Sequence, residues 1–424
     1  MREDTKKTFS EDFLWGASTS AHQVEGGNHN QWTVWELENA TRLAKDAEEL
    51  LKWRWQAPVW DEVKKQAESP DNYVSGEGVD HYRRYPKDFD LVKKLNLNAL
   101  RFTIEWSRIE PEEGQWNQEA IDHYKQYIVE LKKRDIEPIL NIWHFSLPIW
   151  FAARGGFKYR KNLKYFKRFV HLVATELTPH VNYVITLNEP NIYASYSYLL
   201  GLWPPEEKNF ISASRVYWNM IQAHKQTYYI LKMEKPSLQI GLAQQLANIQ
   251  AKDPHNISDE LSTKIMRYVW NWSFLHFIRN EQDFIGVNYY FTDYYQSWFK
   301  REDPKVPVND LGWYMEPEGL FPLLLRAWAH YNKPILVTEN GVADMHDEYR
   351  RWWLEETVVA MERAISEGVE IKGYFHWSLL DNFEWAQGWW PKFGLVAVDR
   401  KHGMRRTIRP SAKWFAGKIK KLSK

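Results

Sequence analysis

Short β-forming apolar runs alternate with helical segments from one end of the chain to the other, and this alternation most constrains what it can fold into. Strand-type runs are read at Phe13–Ala17, Asn98–Trp106, Glu137–His144, 182–189, Gln239–Gln244, Asp283–Tyr290, 334–339 and Glu370–Trp377. Helical spacing is read at Val79–Leu95, Gln118–Arg134, Asn162–Leu177, Asn209–Met233, Ser258–Arg279, Glu316–Tyr331, Glu348–Glu367 and Pro410–Leu422. Strict alternation implies a parallel sheet, and eight such units favour a closed α/β barrel, the (β/α)8 TIM barrel. The open, doubly wound alternative loses its usual dinucleotide reading, because no Gly-x-Gly-x-x-Gly follows the first strand. No Gly/Ser linker or composition shift divides the units, so one domain over residues 1–424 is expected.

One connection departs from the pattern. Between the first strand and its helix lie about fifty residues, 28–79. Within them Glu38–Trp55 has helical spacing, and Trp53, Trp55 and Trp60 precede the Pro70-Asp71-Asn72 breaker. Connections this long inside a compact domain are usually lids or partner surfaces.

In a closed parallel barrel all strand C-termini open on one face, where the chemistry sits. Tyr183-Val184-Ile185-Thr186-Leu187 runs into Asn188-Glu189 and stops at Pro190, which cannot continue a sheet ladder. Pro334-Ile335-Leu336-Val337-Thr338 runs into Glu339-Asn340-Gly341. Glu189 and Glu339 therefore end the fourth and seventh strands and project into the same mouth. His144, Tyr290 and Trp377 end other strands, Arg101 lies within the second, and Gln23, Glu25, Glu384 and Trp385 follow strand ends. Carboxylates, amides, imidazole and indoles gathered at one rim suit a neutral, polyhydroxylated ligand.

Composition narrows the alternatives. Net charge is +1 with acids and bases interspersed, which leaves no basic stripe for nucleic acid. Cysteine is absent, which removes disulfides, thiolate metal sites and cysteine nucleophiles and fits a reducing compartment. The 14 His residues form no His-x-x-x-His pair beside an acid, so neither a metal nor another cofactor is expected. Residues Met1–Lys7 lead into no apolar run of signal length, no stretch approaches the ~20 apolar residues of a membrane helix, and a cytoplasmic location is expected. The 24 Trp and 23 Tyr offer flat faces for sugar rings, although most aromatics in any fold fill the core.

Six blocks, in order along nearly the whole chain, resemble glycoside hydrolase family 1, the retaining β-glycosidases. They are Phe-Leu-Trp-Gly-Ala-Ser-Thr-Ser-Ala-His-Gln-Val-Glu-Gly (13–26), Leu-Arg-Phe-Thr-Ile-Glu-Trp-Ser-Arg (100–108) and Thr-Leu-Asn-Glu-Pro (186–190). Gly-Val-Asn-Tyr-Tyr (286–290), Val-Thr-Glu-Asn-Gly (337–341) and Trp-Ser-Leu-Leu-Asp-Asn-Phe-Glu-Trp (377–385) complete the set. The resemblance implies Glu189 as acid/base, with a raised pKa, and Glu339 as an ionised nucleophile, about 5–5.5 Å apart. It implies that Arg101 and Tyr290 orient the nucleophile. It assigns Gln23, His144, Asn188, Asn288, Trp377, Glu384 and Trp385 to the sugar pocket, with Trp377 as its floor.

Members acting on 6-phosphorylated sugars replace the glutamate that is Glu384 here and add a cation, so an unphosphorylated substrate is expected. Plant myrosinases lack the acid/base that is present here as Glu189. The family's His-Trp-Asp-Leu-Pro appears as His144-Phe145-Ser146-Leu147-Pro148, which forfeits an indole N–H, and the stretch 191–283 is short for the family. The expected activity is hydrolysis of β-glucosides, with β-galactosides and β-fucosides as further substrates; the expected partner is a small-molecule β-glycoside or oligosaccharide, with neither nucleic acid nor membrane, and the oligomeric state is left open. Transglycosylation by the same pair and a non-catalytic sugar-binding barrel are the alternatives.

Overall fold

The computed structural model describes residues 9–49, 58–297, 300–301 and 305–423. The barrel strands are β1 (Leu14–Ser18), β2 (Ala99–Thr103), β3 (Glu137–Asn141), β4 (Tyr183–Asn188), β5 (Gln239–Ala251), β6 (Phe284–Gln296), β7 (Ile335–Asn340) and β8 (Ile371–Trp377). Each pairs in parallel with the next, and β8 pairs with β1 from Leu14↔Gly373 to Ser18↔Trp377, which closes the (β/α)8 barrel. A hairpin of β9 (Val396–Asp399) and β10 (Arg405–Ile408) follows the eighth strand.

The helices are α1 (Gln31–Lys45) in the long first connection, then α2 (His81–Lys94), α3 (Gln118–Lys132), α4 (Leu163–Glu176), α5 (Phe210–Glu234), α6 (Ile257–Met266), α7 (Leu320–Tyr331), α8 (Arg350–Ser366) and α9 (Pro410–Leu422). Their apolar stripes cover the outside of the sheet. The inside is filled by a separate cluster of Ala99, Ile139, Ile185, Ala243, Phe284, Leu336 and Phe375. Small residues make room for the rings: a Cβ on Gly16 would lie 2.4 Å from Phe375. Each large apolar side chain sealed there contributes roughly 1.5–3 kcal/mol.

Several expectations need correction. The helix expected over Glu38–Trp55 begins at Gln31, where the Asn30 side chain accepts from the N–H groups of Trp32 and Thr33 at 3.0 and 3.1 Å. The β-branched pair Thr33-Val34 disguises this first turn. Trp53 and Trp55 lie outside the described residues. Trp60 is half-buried against a cluster containing Val63, Tyr290, Trp377 and Trp390, and does not border the active cavity. The helix expected over Ser258–Arg279 is interrupted by a π-helical turn at Arg267–Trp272, followed by a short helix Ser273–Phe277.

The strands β5 and β6 run well past their expected ends at Gln244 and Tyr290, pairing as far as Ala251↔Tyr295. On the adjoining strands, Asn188 pairs with Ala243 and Glu339 with Asn288. The two strands therefore rise beyond the level of the glutamates, by roughly 20 Å at 3.3 Å per residue. Asp259 ties the start of α6 to the top of this ribbon by accepting from Ser297 N at 2.6 Å.

The loop after β8, which carries the sugar-pocket residues, is anchored by a buried ion pair. Arg409, just before α9, donates Nη1 to Asp381 Oδ1 at 2.9 Å and Nη2 to Oδ2 at 3.1 Å. Burial alone would raise the Asp381 pKa, but Arg409 holds it below the ordinary carboxylate range. A lowered pKa stabilises the fold above the ordinary carboxylate pKa, and that stability is lost as pH falls through the lowered value. Arg409→Met strands the anion, and denaturant unfolding is expected to register a loss of about 3 kcal/mol or more. The double variant Asp381→Asn/Arg409→Met should recover part of that loss.

Candidate active site

Glu189 leaves β4 in the left-handed region at φ 42°, and its N–H donates to the Ala243 carbonyl at 2.8 Å. Such a backbone costs about 1–3 kcal/mol for a non-glycine residue, and it turns the carboxyl into the mouth. Asn288, at the C-terminal end of the barrel portion of β6, donates Nδ2 to Glu189 Oε1 at 2.8 Å and to Asn188 Oδ1 at 3.2 Å. Thr338 fixes the Asn288 amide by donating its hydroxyl to Oδ1 at 2.6 Å. Burial raises the Glu189 pKa well above the ordinary range, the charge of Glu339 adds to this, and the Asn288 bond opposes both. Burial and the neighbouring charge thus favour the protonated form of Glu189.

Glu339 has different surroundings. Tyr290 donates its hydroxyl to Oε2 at 2.6 Å, and Arg101 donates Nη1 to Oε1. The same guanidinium donates Nη2 to Asn188 Oδ1 at 2.5 Å, so one buried cation links the two strand ends. Gly341 lets the turn after Glu339 approach β8: a Cβ there would lie 2.0 Å from the Trp377 carbonyl oxygen. Burial and the Glu339 charge raise the Tyr290 pKa well above its ordinary value, so the phenol stays a donor.

Gln23, His144, Glu189, Tyr290, Glu339, Trp377, Glu384 and Trp385 border one cavity of about 300 Å³, whereas Asn188 and Asn288, expected in the sugar pocket, are fully buried and do not border it. Asn188 donates Nδ2 to His144 Nε2 at 3.1 Å, and burial together with the Arg101 charge keeps that imidazole neutral. Gln23 donates to the Phe383 carbonyl at 2.7 Å, and Asn382 donates to Glu384 Oε2 at 2.8 Å. The Glu384 side chain faces the cavity yet is enclosed by protein. That burial lifts its pKa to about 8, against the Asn382 bond and with the charge of Glu339 adding. Its carboxyl can then both donate to and accept from neighbouring sugar hydroxyls. Glu25 turns away to pair with Arg108 at 2.8 Å.

The sequence reading missed the far half of the cavity. There Arg42, paired with Glu206, and Trp203 join Ile249, Met266, Trp270, Asp293 and Tyr295, which belong to the β5–β6 ribbon and the helical segment between its two strands. Trp203 packs 5.1 Å from Phe145, beside the ring that replaces the family's tryptophan. Its Leu202-Trp203-Pro204-Pro205 context was the one available signal.

A buried carboxyl whose surroundings favour its protonated form and a second carboxyl paired with a buried guanidinium, both bordering one cavity of a closed barrel, fit a glycoside-cleaving enzyme. The model of glycosyl hydrolase family 1 matches residues 55–278 and 273–423. A β-glycosidase from Pyrococcus horikoshii superposes with a TM-score of 0.85 at 30% identity, over 98% of this chain and 95% of that one. A β-glucosidase from Thermotoga maritima in complex with glucoimidazole superposes with a TM-score of 0.86 at 26% identity, over 98% and 100%. The galactolipid galactosyltransferase SFR2 of Arabidopsis thaliana is 32% identical over 79% of this chain, which spans 57% of that protein. The chain belongs to glycosyl hydrolase family 1 and is an O-glycosyl hydrolase.

The roles of the hydrogen bonds around Glu189 can be read from the pH dependence of kcat/KM, which should fall on the alkaline side as Glu189 loses its proton. Asn288→Ala removes a bond that favours the ionised carboxyl, so this alkaline limb is expected to move to higher pH. Loss of orientation should lower kcat/KM at neutral pH about 10- to 100-fold. An alkaline limb that stays or moves down rules out the assigned effect of Asn288.

Proposed function

We propose that the enzyme is a retaining exo-β-glycosidase that hydrolyses unphosphorylated β-D-glucosides, and β-galactosides and β-fucosides with them, by double displacement. The observation that carries this reading is the unequal treatment of two carboxyls in one cavity: Glu189 is buried beside an amide, and Glu339 is paired with Arg101 and Tyr290. Glu339 attacks the anomeric carbon while the glycosidic C–O bond breaks, and the leaving oxygen takes the Glu189 proton. Glu189, now a base, removes a proton from the water that cleaves the glycosyl-enzyme. Trp377 stacks beneath the ring, and Gln23, His144, Glu384 and Trp385 hold its hydroxyls. The β-glucosidase likeness supports the substrate class.

Phosphorylated sugars are disfavoured for a reason other than simple repulsion, since a Glu384 that titrates near 8 is uncharged at neutral pH. What a phosphoryl group needs is a free cation. Among the described residues bordering the cavity, the cation is Arg42, already paired with Glu206.

Transfer to an acceptor sugar is the second reading, favoured by the likeness to a galactolipid galactosyltransferase. Product analysis at high acceptor concentration distinguishes it: transfer products that outweigh free sugar would establish it.

Glu339→Ala should lower turnover of an aryl β-glucoside by about three orders of magnitude or more, and added azide should restore part of it as the α-glycosyl azide. Near-normal activity would remove Glu339 from its role. Glu189→Ala should spare the first step for good leaving groups and cripple it for poor ones. Equal losses on both would contradict the acid role.

A further inference from the structure

The far half of the cavity and the outer surface of the molecule meet on one stretch of chain, α6 and the turn after it. On the inner side Met266 and Trp270 border the cavity with Ile249 and Ile192, apolar residues set beside the polar Arg42, Asp293 and Tyr295. On the outer side Ile257, Leu261 and Ile265 recur at every fourth residue, and Tyr268 and Val269 follow in the π-helical turn. All five are exposed, Ile257 at 85%. A surface helix ordinarily turns its polar face to water, whereas α6 buries Asp259, Ser262 and Thr263 and exposes Ile257, Leu261 and Ile265.

The patch continues onto α5, where Phe210, Ile211 and Trp218 are exposed, Phe210 at 73%. The two segments adjoin: Tyr217 and Ser273 share a hydrogen bond of 2.6 Å, and the Trp218 ring lies 5.4 Å from Phe277. Each helix follows the C-terminal end of its strand, so both begin at the mouth of the barrel. The β5–β6 ribbon carries the start of α6 further out still. Single exposed apolar residues need no explanation, but a contiguous patch of this extent marks an interaction surface.

Resting on the glycosidase reading above, we propose that the outer face of α5 and α6 docks into the surface of a lipid bilayer. There the enzyme takes membrane-embedded alkyl or acyl β-glycosides, whose tails leave the carboxyls along the Met266–Ile249–Ile192 wall. Continuity decides between possible occupants. The inner wall calls for an apolar leaving group, and a bilayer delivers one at the point where the outer face becomes buried. A second copy of the chain would cover the outer face and leave the inner wall without a ligand. Trp218 and Tyr268, each with an apolar ring and a polar edge, suit the headgroup boundary.

The test uses the full chain, phosphatidylcholine vesicles with and without hexadecyl β-D-glucoside, and the variant Ile257→Glu/Leu261→Glu, whose side chains face away from the cavity. The wild type is expected to sediment with both kinds of vesicle, and the variant to stay in solution. The variant's kcat/KM on the vesicle-borne glucoside should fall about tenfold or more, with turnover of a soluble aryl β-glucoside unchanged. A wild type that stays in solution, or a variant equal to it on vesicles, overturns docking while leaving the glycosidase reading intact. So does a wild-type dimer in sedimentation velocity that the variant splits without any vesicle binding, which would assign the patch to a second copy. Loss of soluble aryl glucoside turnover in the wild type would instead overturn the glycosidase reading, and vesicle sedimentation would still report on docking.

Discussion

A cation sealed inside a protein must be paired, and the way Arg101 is paired sets out the rest of the site. Its side chain is buried, and its two terminal nitrogens reach different strands: one to Glu339 at the end of β7, the other to Asn188 at the end of β4. Removing either partner would leave charge or polarity uncompensated in a medium that penalises both. The guanidinium thus fixes the distance between two strand ends on opposite arcs of the barrel. Asn288 then hands the constraint on from Asn188 to Glu189.

From this arrangement follows the difference between two identical side chains. Glu339 receives a guanidinium N–H and a phenolic O–H, both of which complement negative charge. Glu189 receives one amide N–H, too little to offset burial and the neighbouring anion. The proposed chemistry needs one group to give up a proton and the other to attack as an anion, and the two carboxyls have unequal hydrogen-bond partners that suit this division. The tight turn at Gly341 and the Asp381–Arg409 pair serve the same end at longer range, by holding the Trp377–Trp385 loop against the carboxyls.

The long first connection and the β5–β6 ribbon add to the barrel what its eight units lack. The units supply the cavity residues at the strand ends, and the ribbon, α6 and the Trp203 loop supply the others. In the proposed bilayer-facing role, the same α6 segment presents apolar side chains to the cavity and to the outside.

Much of this was legible from local pattern. Strand and helix periodicity mark the barrel, and Glu189, Glu339, His144 and Trp377 were placed at or near strand ends because proline and turn residues mark where strands stop. Neighbours in sequence decide such features. The start of α1 at Gln31 was not legible, because its cap lies in an Asn30 side chain followed by residues that read as β-formers. Nor was the overrun of β5 and β6, since their continued pairing is a property of two strands together. Which groups surround each glutamate, how Arg101 divides its bonds between residues 87 and 238 positions away, and which face of α6 meets water were decided by tertiary structure alone. The physical reason is that desolvation, charge pairing and exposure depend on what surrounds a side chain in space, and those neighbours come from strands that the linear order keeps far apart.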